Sequence, residues 1–315
     1  MKVLFLFFVI FLSIFQIFAQ NVFSVKENQT LLNGEEFQAI GLRCSNALIT
    51  EEATNDLIAH LDEYRKWGLN TISVYFMGSR FSPVNSFNLD ATLKYEYASR
   101  MSEIIEACDK RDMVVLVGIL YWGGTEIREL ANDYYKTWDQ EKVNLAIRNT
   151  VLWLKEKNYR NVFIDPDNEG MAERGAGFDI AEMICVGKKT NPEIVIAYNG
   201  MNIPPSCADL PIHFGKKVKS MPFIESEGAP SQYWGHYSKE SGLMEFINVG
   251  IYTQGKKEEQ LRETKKFLDE GHGYLFASTW LQNITPNYGF GGDGSPCNPG
   301  IQWWIDFVKK WKNEK

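Results

Sequence analysis

Eight short apolar runs, most of them followed by a segment of helical period, punctuate the chain from residue 38 onward. They fall at 38–43, 69–76, 113–120, 161–165, 193–198, 210–214, 221–226 and 274–279. The runs are mostly apolar throughout instead of alternating, as parallel strands buried on both faces are. Helices are expected at 51–66, 94–110, 140–156, 178–188, 256–270 and 301–312. The first has Thr50 as N-cap candidate, Ala53, Leu57, Leu61 and Tyr64 on one face, and Gly68 as a stop. Eight βα repeats, the fifth and sixth abbreviated, predict a single (β/α)8 TIM barrel over residues 20–315, with a doubly wound open sheet as the alternative α/β layout. Ahead of the barrel, Asn33-Gly34 marks the two-residue turn of an N-terminal β-hairpin.

Residues 1–19 stand outside that rhythm. Lys2 precedes an apolar run that is shorter than a membrane span of about 20 residues and ends in Ile17-Phe18-Ala19, a small-residue cleavage pattern. The segment reads as a secretory signal peptide, which implies a secreted or periplasmic protein with no stable membrane insertion after cleavage. An uncleaved N-terminal anchor is the alternative. With 33 Lys+Arg against 40 Asp+Glu the formal net charge is −7, and no basic surface offers itself to nucleic acid.

The cysteines form no disulfide framework. Cys44, Cys108 and Cys185 lie in apolar, element-like surroundings and read as buried small hydrophobes, whereas Cys207 and Cys297, in Pro-rich loops, are a candidate pair. The four histidines, His60, His213, His236 and His272, have no ligand spacing, so no metal site is expected. Gly289–Gly294 matches G-x-G-x-x-G but opens no helix; it reads as a mobile loop after strand eight and not as a dinucleotide site, and no cofactor is expected.

In a TIM barrel the reacting groups stand at the C-terminal ends of strands. Strand four ends in Asp165-Pro166-Asp167-Asn168-Glu169, and strand seven runs Pro222-Phe223-Ile224-Glu225-Ser226-Glu227-Gly228. Two strands on opposite sides of one mouth each deliver a carboxylate, the pairing that glycoside hydrolysis requires. These residues resemble clan A of the retaining glycoside hydrolases, and within it glycoside hydrolase family 5, with its cellulases and mannanases. Gly41, Gly68-Leu69-Asn70-Thr71 and Trp280 at the end of strand eight share in the likeness, which covers nearly all of the chain beyond residue 19.

The resemblance implies Glu169 as general acid/base, Asn168 as the ligand of the sugar 2-hydroxyl, Glu227 as nucleophile and Trp280 as an aromatic platform. Glu225 is the rival nucleophile, since i and i+2 on a strand share a face; the offset of Glu227 from Pro222 and the following Gly228 favour Glu227. His213 matches the family's strand-six histidine. The chain departs from the family at Ser73, where an arginine is usual, and at Gly215, where a tyrosine bonds the nucleophile. Arg43 or Arg80 is the candidate replacement for the arginine, and Tyr198 or Tyr233 for the tyrosine.

The chain holds 9 Trp, 14 Tyr and 20 Phe. Aromatic faces bind sugars but also fill cores. Trp122, Trp234 and Trp280 are the stacking candidates, whereas Trp303, Trp304 and Trp311 on the last helix read as packing. A polysaccharide or oligosaccharide is the expected partner of a monomeric enzyme. The rival functions are a catalytically inactive carbohydrate-binding barrel and a transglycosylase.

Overall fold

The structure, a computed structural model, describes residues 20–79, 82–123, 131–228, 236–238, 243–245 and 249–315. The expected leader 1–19, Arg80, Tyr233 and Trp234 lie outside the described residues.

The barrel strands, in chain order, are Ile40–Arg43, Thr71–Tyr75, Val114–Leu120, Val162–Asp167, Val195–Tyr198, Leu210–Pro211, Ile224–Glu225 and Gly273–Phe276. All neighbours pair in parallel, the eighth strand pairs with the first, and a parallel bridge between Ile212 and Ile224 closes the ring between the sixth and seventh. This is a (β/α)8 barrel. Helices Glu51–Lys66, Tyr95–Asp109, Gln140–Glu156, Ile180–Thr190, Gln254–Asp269 and Gln302–Asn313 follow strands one, two, three, four, seven and eight. The fifth and sixth units carry no helix before the next strand, as their short spacing predicts.

Local chemistry sets the helix starts. Thr50 accepts from the Ala53 N–H, Asp139 from Lys142 and Asp179 from Glu182, each satisfying a donor that the first turn leaves open. The Asp179 cap explains why the fourth of these helices begins at Ile180 and not at 178. On the last helix Trp304 is fully buried and stacks on Phe276, while Trp303 meets the same ring edge-on.

The N-terminal segment is more than one hairpin. Phe23–Lys26, Gln29–Leu32 and Glu35–Glu36 form a three-stranded antiparallel sheet. Asn33 and Gly34 both take positive φ at the expected turn. Glu27 also adopts φ 53° at an earlier turn, which Glu-Asn does not announce. Phe23 packs on Phe163 and Phe37 and its N–H donates to Arg160 O, so the sheet covers the barrel end opposite the strand C-termini.

Two loop expectations are corrected. Cys207 pairs with Cys185, not with Cys297, which is exposed and free. The reason is topological: with no helix between strands five and six, the connection folds back on helix Ile180–Thr190 and brings the two Cα atoms to 5.2 Å. Cys44 and Cys108 are buried, as expected. The Gly289–Gly294 stretch is not a plain loop; Gly291–Ser295 pairs with Asn298–Gly300 as an antiparallel ribbon. Among the described residues no helix is long and apolar enough to cross a membrane.

Candidate active site

Strand four hands over to a tight turn that carries Asn168 and Glu169. Glu169 is left-handed at φ 55°, Gly170 follows at φ 63°, and the short helix Met171–Ala176 begins there. Such a backbone costs a non-glycine residue on the order of 1–3 kcal/mol and persists only where the surroundings impose it. The imposing group is Asp167. Its carboxyl group accepts from the Ala172 N–H at 2.9 and 3.0 Å and the Glu173 N–H at 3.1 Å, spanning the turn. Arg174 adds bonds to the carbonyls of Glu169 (2.9 Å) and Gly170 (3.3 Å).

We predict that Asp167→Ala loosens this turn. It should lower stability by about 1–2 kcal/mol. Asp167→Asn, which keeps an acceptor, should lose far less; equal losses in melting temperature for the two variants would refute the assignment.

Across the mouth, strand seven supplies two buried carboxylates with different partners. Glu225 accepts from His213 Nδ1 (2.5 Å) and from the N–H groups of Glu227 and Gly228, both at 3.0 Å. Glu227 Oε2 faces Arg43 Nη1 at 3.3 Å and His213 Nε2 at 3.6 Å. One carboxylate oxygen each from Glu169 and Glu227, with a His213 ring nitrogen, lie within 4.8 Å of one another. Of the two, Glu227 lies beside Glu169, and Glu225 is turned to the histidine.

Arg43, at the end of strand one, is fully buried. Its Nη2 donates to Asn168 Oδ1 at 2.7 Å, its Nε to Ser45 Oγ at 3.1 Å, and its guanidinium lies 4.9 Å from the Tyr75 ring centroid. The sequence marks Ser73 as the position lacking an arginine. Ser73 pairs in register with Arg43 on the neighbouring strand, so the guanidinium enters the site from one strand over. Three residues that the sequence did not single out complete this wall. Tyr75 donates to Asp165 Oδ2 at 2.6 Å, and Asn199 Nδ2 donates to the same oxygen at 2.9 Å. The Tyr75 ring lies against Gly118, where a Cβ would come within 1.9 Å of it.

The electrostatics separate the carboxyls. Burial, then the charge of Glu227 and a hydrogen bond with it, raise the Glu169 pKa to about 8, so it keeps its proton at neutral pH. Burial would also raise Glu225, but the hydrogen bond and charge of His213 and the two backbone donors hold it below its ordinary value. Burial opposes charge on His213; the bond to Glu225 and the neighbouring carboxylates outweigh it and lift its pKa to about 9. Arg43 likewise loses by desolvation, but Glu227 together with Tyr75, Tyr121 and Glu169 outweighs that loss, so its charge is secure. Glu169, His213 and Glu227 have the types and closeness of a metal triad. A cation there would have to displace protons held by His213 and Glu169.

The remaining sequence candidates are dispersed. Trp280 is half-buried on the short helix Thr279–Gln282 after strand eight, and its Nε1 donates to Gly289 O at 2.7 Å. Its ring fills the space beside Gly250 and Gly291, where a Cβ would come within 2.6 and 2.7 Å of the indole. Trp122 is half-buried after strand three, edge-on to Phe178 at 5.3 Å. Tyr198 does not turn to Glu227; its hydroxyl bonds with Asn202 and lies over Gly200. Two further aromatics, Trp138 after strand three and Tyr288 after strand eight, are buried, the first against Phe87 and Tyr135.

No family model matches the chain, and no curated protein matches it. Solved structures match along nearly all of it. A β-glucanase from Saccharophagus degradans, solved in complex with cellotetraose, aligns with TM-score 0.59 at 13% identity, covering 94% of this chain and 94% of its own. A β-1,4-D-mannanase from Cryptopygus antarcticus aligns at 0.57 and 11% identity over 93% and 94%. A glycoside hydrolase family 5 mannosidase from Rhizomucor miehei aligns at 0.58 and 9% identity over 92% and 97%. Identity this low carries the fold and nothing finer. The chain has the (β/α)8 fold of these glycoside hydrolases.

Proposed function

We propose that this protein is a retaining glycoside hydrolase of the family 5 type, cleaving β-linked glycans by double displacement. The observation that carries the reading is the approach of two unequal carboxyls. One oxygen of Glu169 lies within 4.8 Å of one of Glu227, an approach that supports the close pairing, with carboxyls about 5–5.5 Å apart, of retaining sites.

The proposed reaction follows from the charges. Glu227, ionised beside Arg43 and His213, attacks the anomeric carbon, and Glu169 gives its proton to the departing glycosidic oxygen. The ester quenches the charge of Glu227, the largest charged influence keeping Glu169 protonated. Already ionised by that transfer and no longer opposed by a charge on Glu227, Glu169 takes a proton from the incoming water, which hydrolyses the ester and restores both groups. Asn168 supports the same reading. Its Oδ1 is occupied by Arg43, which leaves its amide N–H groups as the donors for a sugar hydroxyl. A polysaccharide or oligosaccharide is the proposed partner of a monomeric enzyme. Export by the leader is proposed too, and the Cys185–Cys207 disulfide supports it, since such bonds persist in oxidising compartments.

Proton NMR of the first product from an aryl β-glycoside tests the mechanism: the anomeric configuration should be retained, and an inverted product would sink the double displacement. On the same substrates kcat/KM should fall as pH rises through about 8, where Glu169 loses its proton. An activity constant from pH 6 to about 10 would remove Glu169 from the acid's role.

A further inference from the structure

His213 sits between two carboxylates of one strand. Its Nδ1 lies 2.5 Å from Glu225 Oε1 and its Nε2 3.6 Å from Glu227 Oε2. A neutral imidazole has one N–H and one lone pair, so in this position it would set a lone pair against a carboxylate oxygen. Only the doubly protonated ring presents a donor to each. The backbone holds the ring there: His213 is left-handed at φ 44°, a strained state for a residue with a side chain. Its N–H donates to Ile224 O at 3.1 Å, and Gly215 turns back to Ile212 O at 2.7 Å.

We infer that Glu225 is a positioning residue of the reaction proposed above: through Nδ1 it holds His213 as an imidazolium whose Nε2–H faces Glu227. Its own carboxylate is fixed by the N–H groups of Glu227 and Gly228, so acceptor, ring and nucleophile form one rigid loop of contacts.

The charged groups that face the ring are Glu225 and Glu227 from strand seven and Glu169 from the turn after strand four, with Arg43 from strand one behind Glu227. In the resting state two cations, Arg43 and His213, balance two anions, Glu225 and Glu227, while Glu169 is neutral. Formation of the ester removes the charge of Glu227, and Glu169, having given its proton to the leaving group in the same step, becomes the second anion and keeps the balance. Glu225 supplies the anion that makes the resting cluster neutral. Without it the imidazolium would lose its hydrogen-bond acceptor and its nearest counter-charge.

The inference rests on the glycosidase reading, and its test separates the two. Protein labelled with ¹⁵N at histidine gives the ring protonation by NMR, the His213 signal being the one missing from His213→Asn. In the wild type both ring nitrogens should stay protonated through pH 8. Glu225→Gln should lower the titration by about 1–3 units, and Glu225→Asp should restore most of it. The alkaline limb of kcat for an aryl glycoside should move down with the titration, about tenfold in rate at pH 8 for each unit beyond the wild-type limb, with KM little changed.

A His213 that is neutral at pH 7 in the wild type, which needs no variant to fold, overturns the inference. So does a titration that ignores Glu225→Gln, or a rate profile that stays put while the titration moves. Shifted titration in a protein that turns over no glycoside at all would instead retire the glycosidase reading, leaving Glu225–His213 as a structural ion pair without a positioning role.

Discussion

Glu227→Ala is expected to remove turnover on every glycoside, by about 10⁵-fold or more in kcat. No other carboxylate can take its place at the anomeric carbon: Glu225, the nearest, is bonded to His213 and to two backbone N–H groups. The truncated side chain leaves space beside Arg43 and His213, two cations that would hold a small anion. Added azide should therefore restore part of the rate on a substrate with a good leaving group and give a glycosyl azide of inverted configuration. Glu169→Ala should behave differently. Losing the acid should cost about 10²–10⁴-fold on ordinary glycosides but little in the first step on dinitrophenyl glycosides, whose leaving group needs no proton. The limb near pH 8 should vanish with it. Initial rates across a series of aryl leaving groups check both, and an equal loss for Glu169→Ala on all of them would contradict the division of roles.

Arg43→Met should be nearly as damaging, in both stability and rate. The guanidinium is fully buried and joins Glu227 to Asn168 with two arms of one fork. Removing one partner of a buried pair typically costs about 3–5 kcal/mol, because the other charge is left in a poor environment. Loss of the cation should also disfavour ionised Glu227 and raise the Glu169 pKa, since Arg43 opposes proton retention there. The activity profile should consequently shift to higher pH while kcat falls by on the order of 10²-fold. Arg43→Lys keeps the charge but not the fork, and an ammonium cannot hold both side chains in plane. Urea unfolding together with pH profiles of the variants tests this. A lysine variant with wild-type kcat and stability would show that the fork is unimportant.

The sequence made the barrel legible because its period is coarse. Fully buried strands are short apolar runs, and the helices between them recur with helical period, the first announced by its Thr50 cap. The two carboxylates were legible for the same reason, since a barrel strand has only one functional end. What the sequence hid depends on neighbours that meet only on closure. Arg43 is one of two sequence candidates for the arginine missing at Ser73; it reaches the site because strand one lies beside strand two in register with Ser73, and no spacing along the chain encodes that adjacency. Tyr75 shares the face of Ser73 two residues on, a signal that was available; Asp165 and Asn199 gave none, because their partner is the Tyr75 hydroxyl or each other. The Cys185–Cys207 disulfide is hidden because element-like surroundings around Cys185 say nothing of the strand-five connection folding back over its helix. The ribbon at Gly291–Gly300 was hidden by glycines, which weaken any strand signal.

Those glycines bear on how the protein can change. The indole of Trp280 lies in a notch cut by Gly250 and Gly291, with its nitrogen fastened to Gly289. Three positions far apart in the chain therefore form one unit of variation. A methyl group at either glycine would drive the ring out, and a smaller ring would leave the notch unfilled, so single steps away from this arrangement are penalised from both sides. Drift at these positions should be concerted, and attempts to reshape this rim by varying Trp280 alone would explore a slot whose outline is fixed by residues thirty positions upstream and eleven downstream.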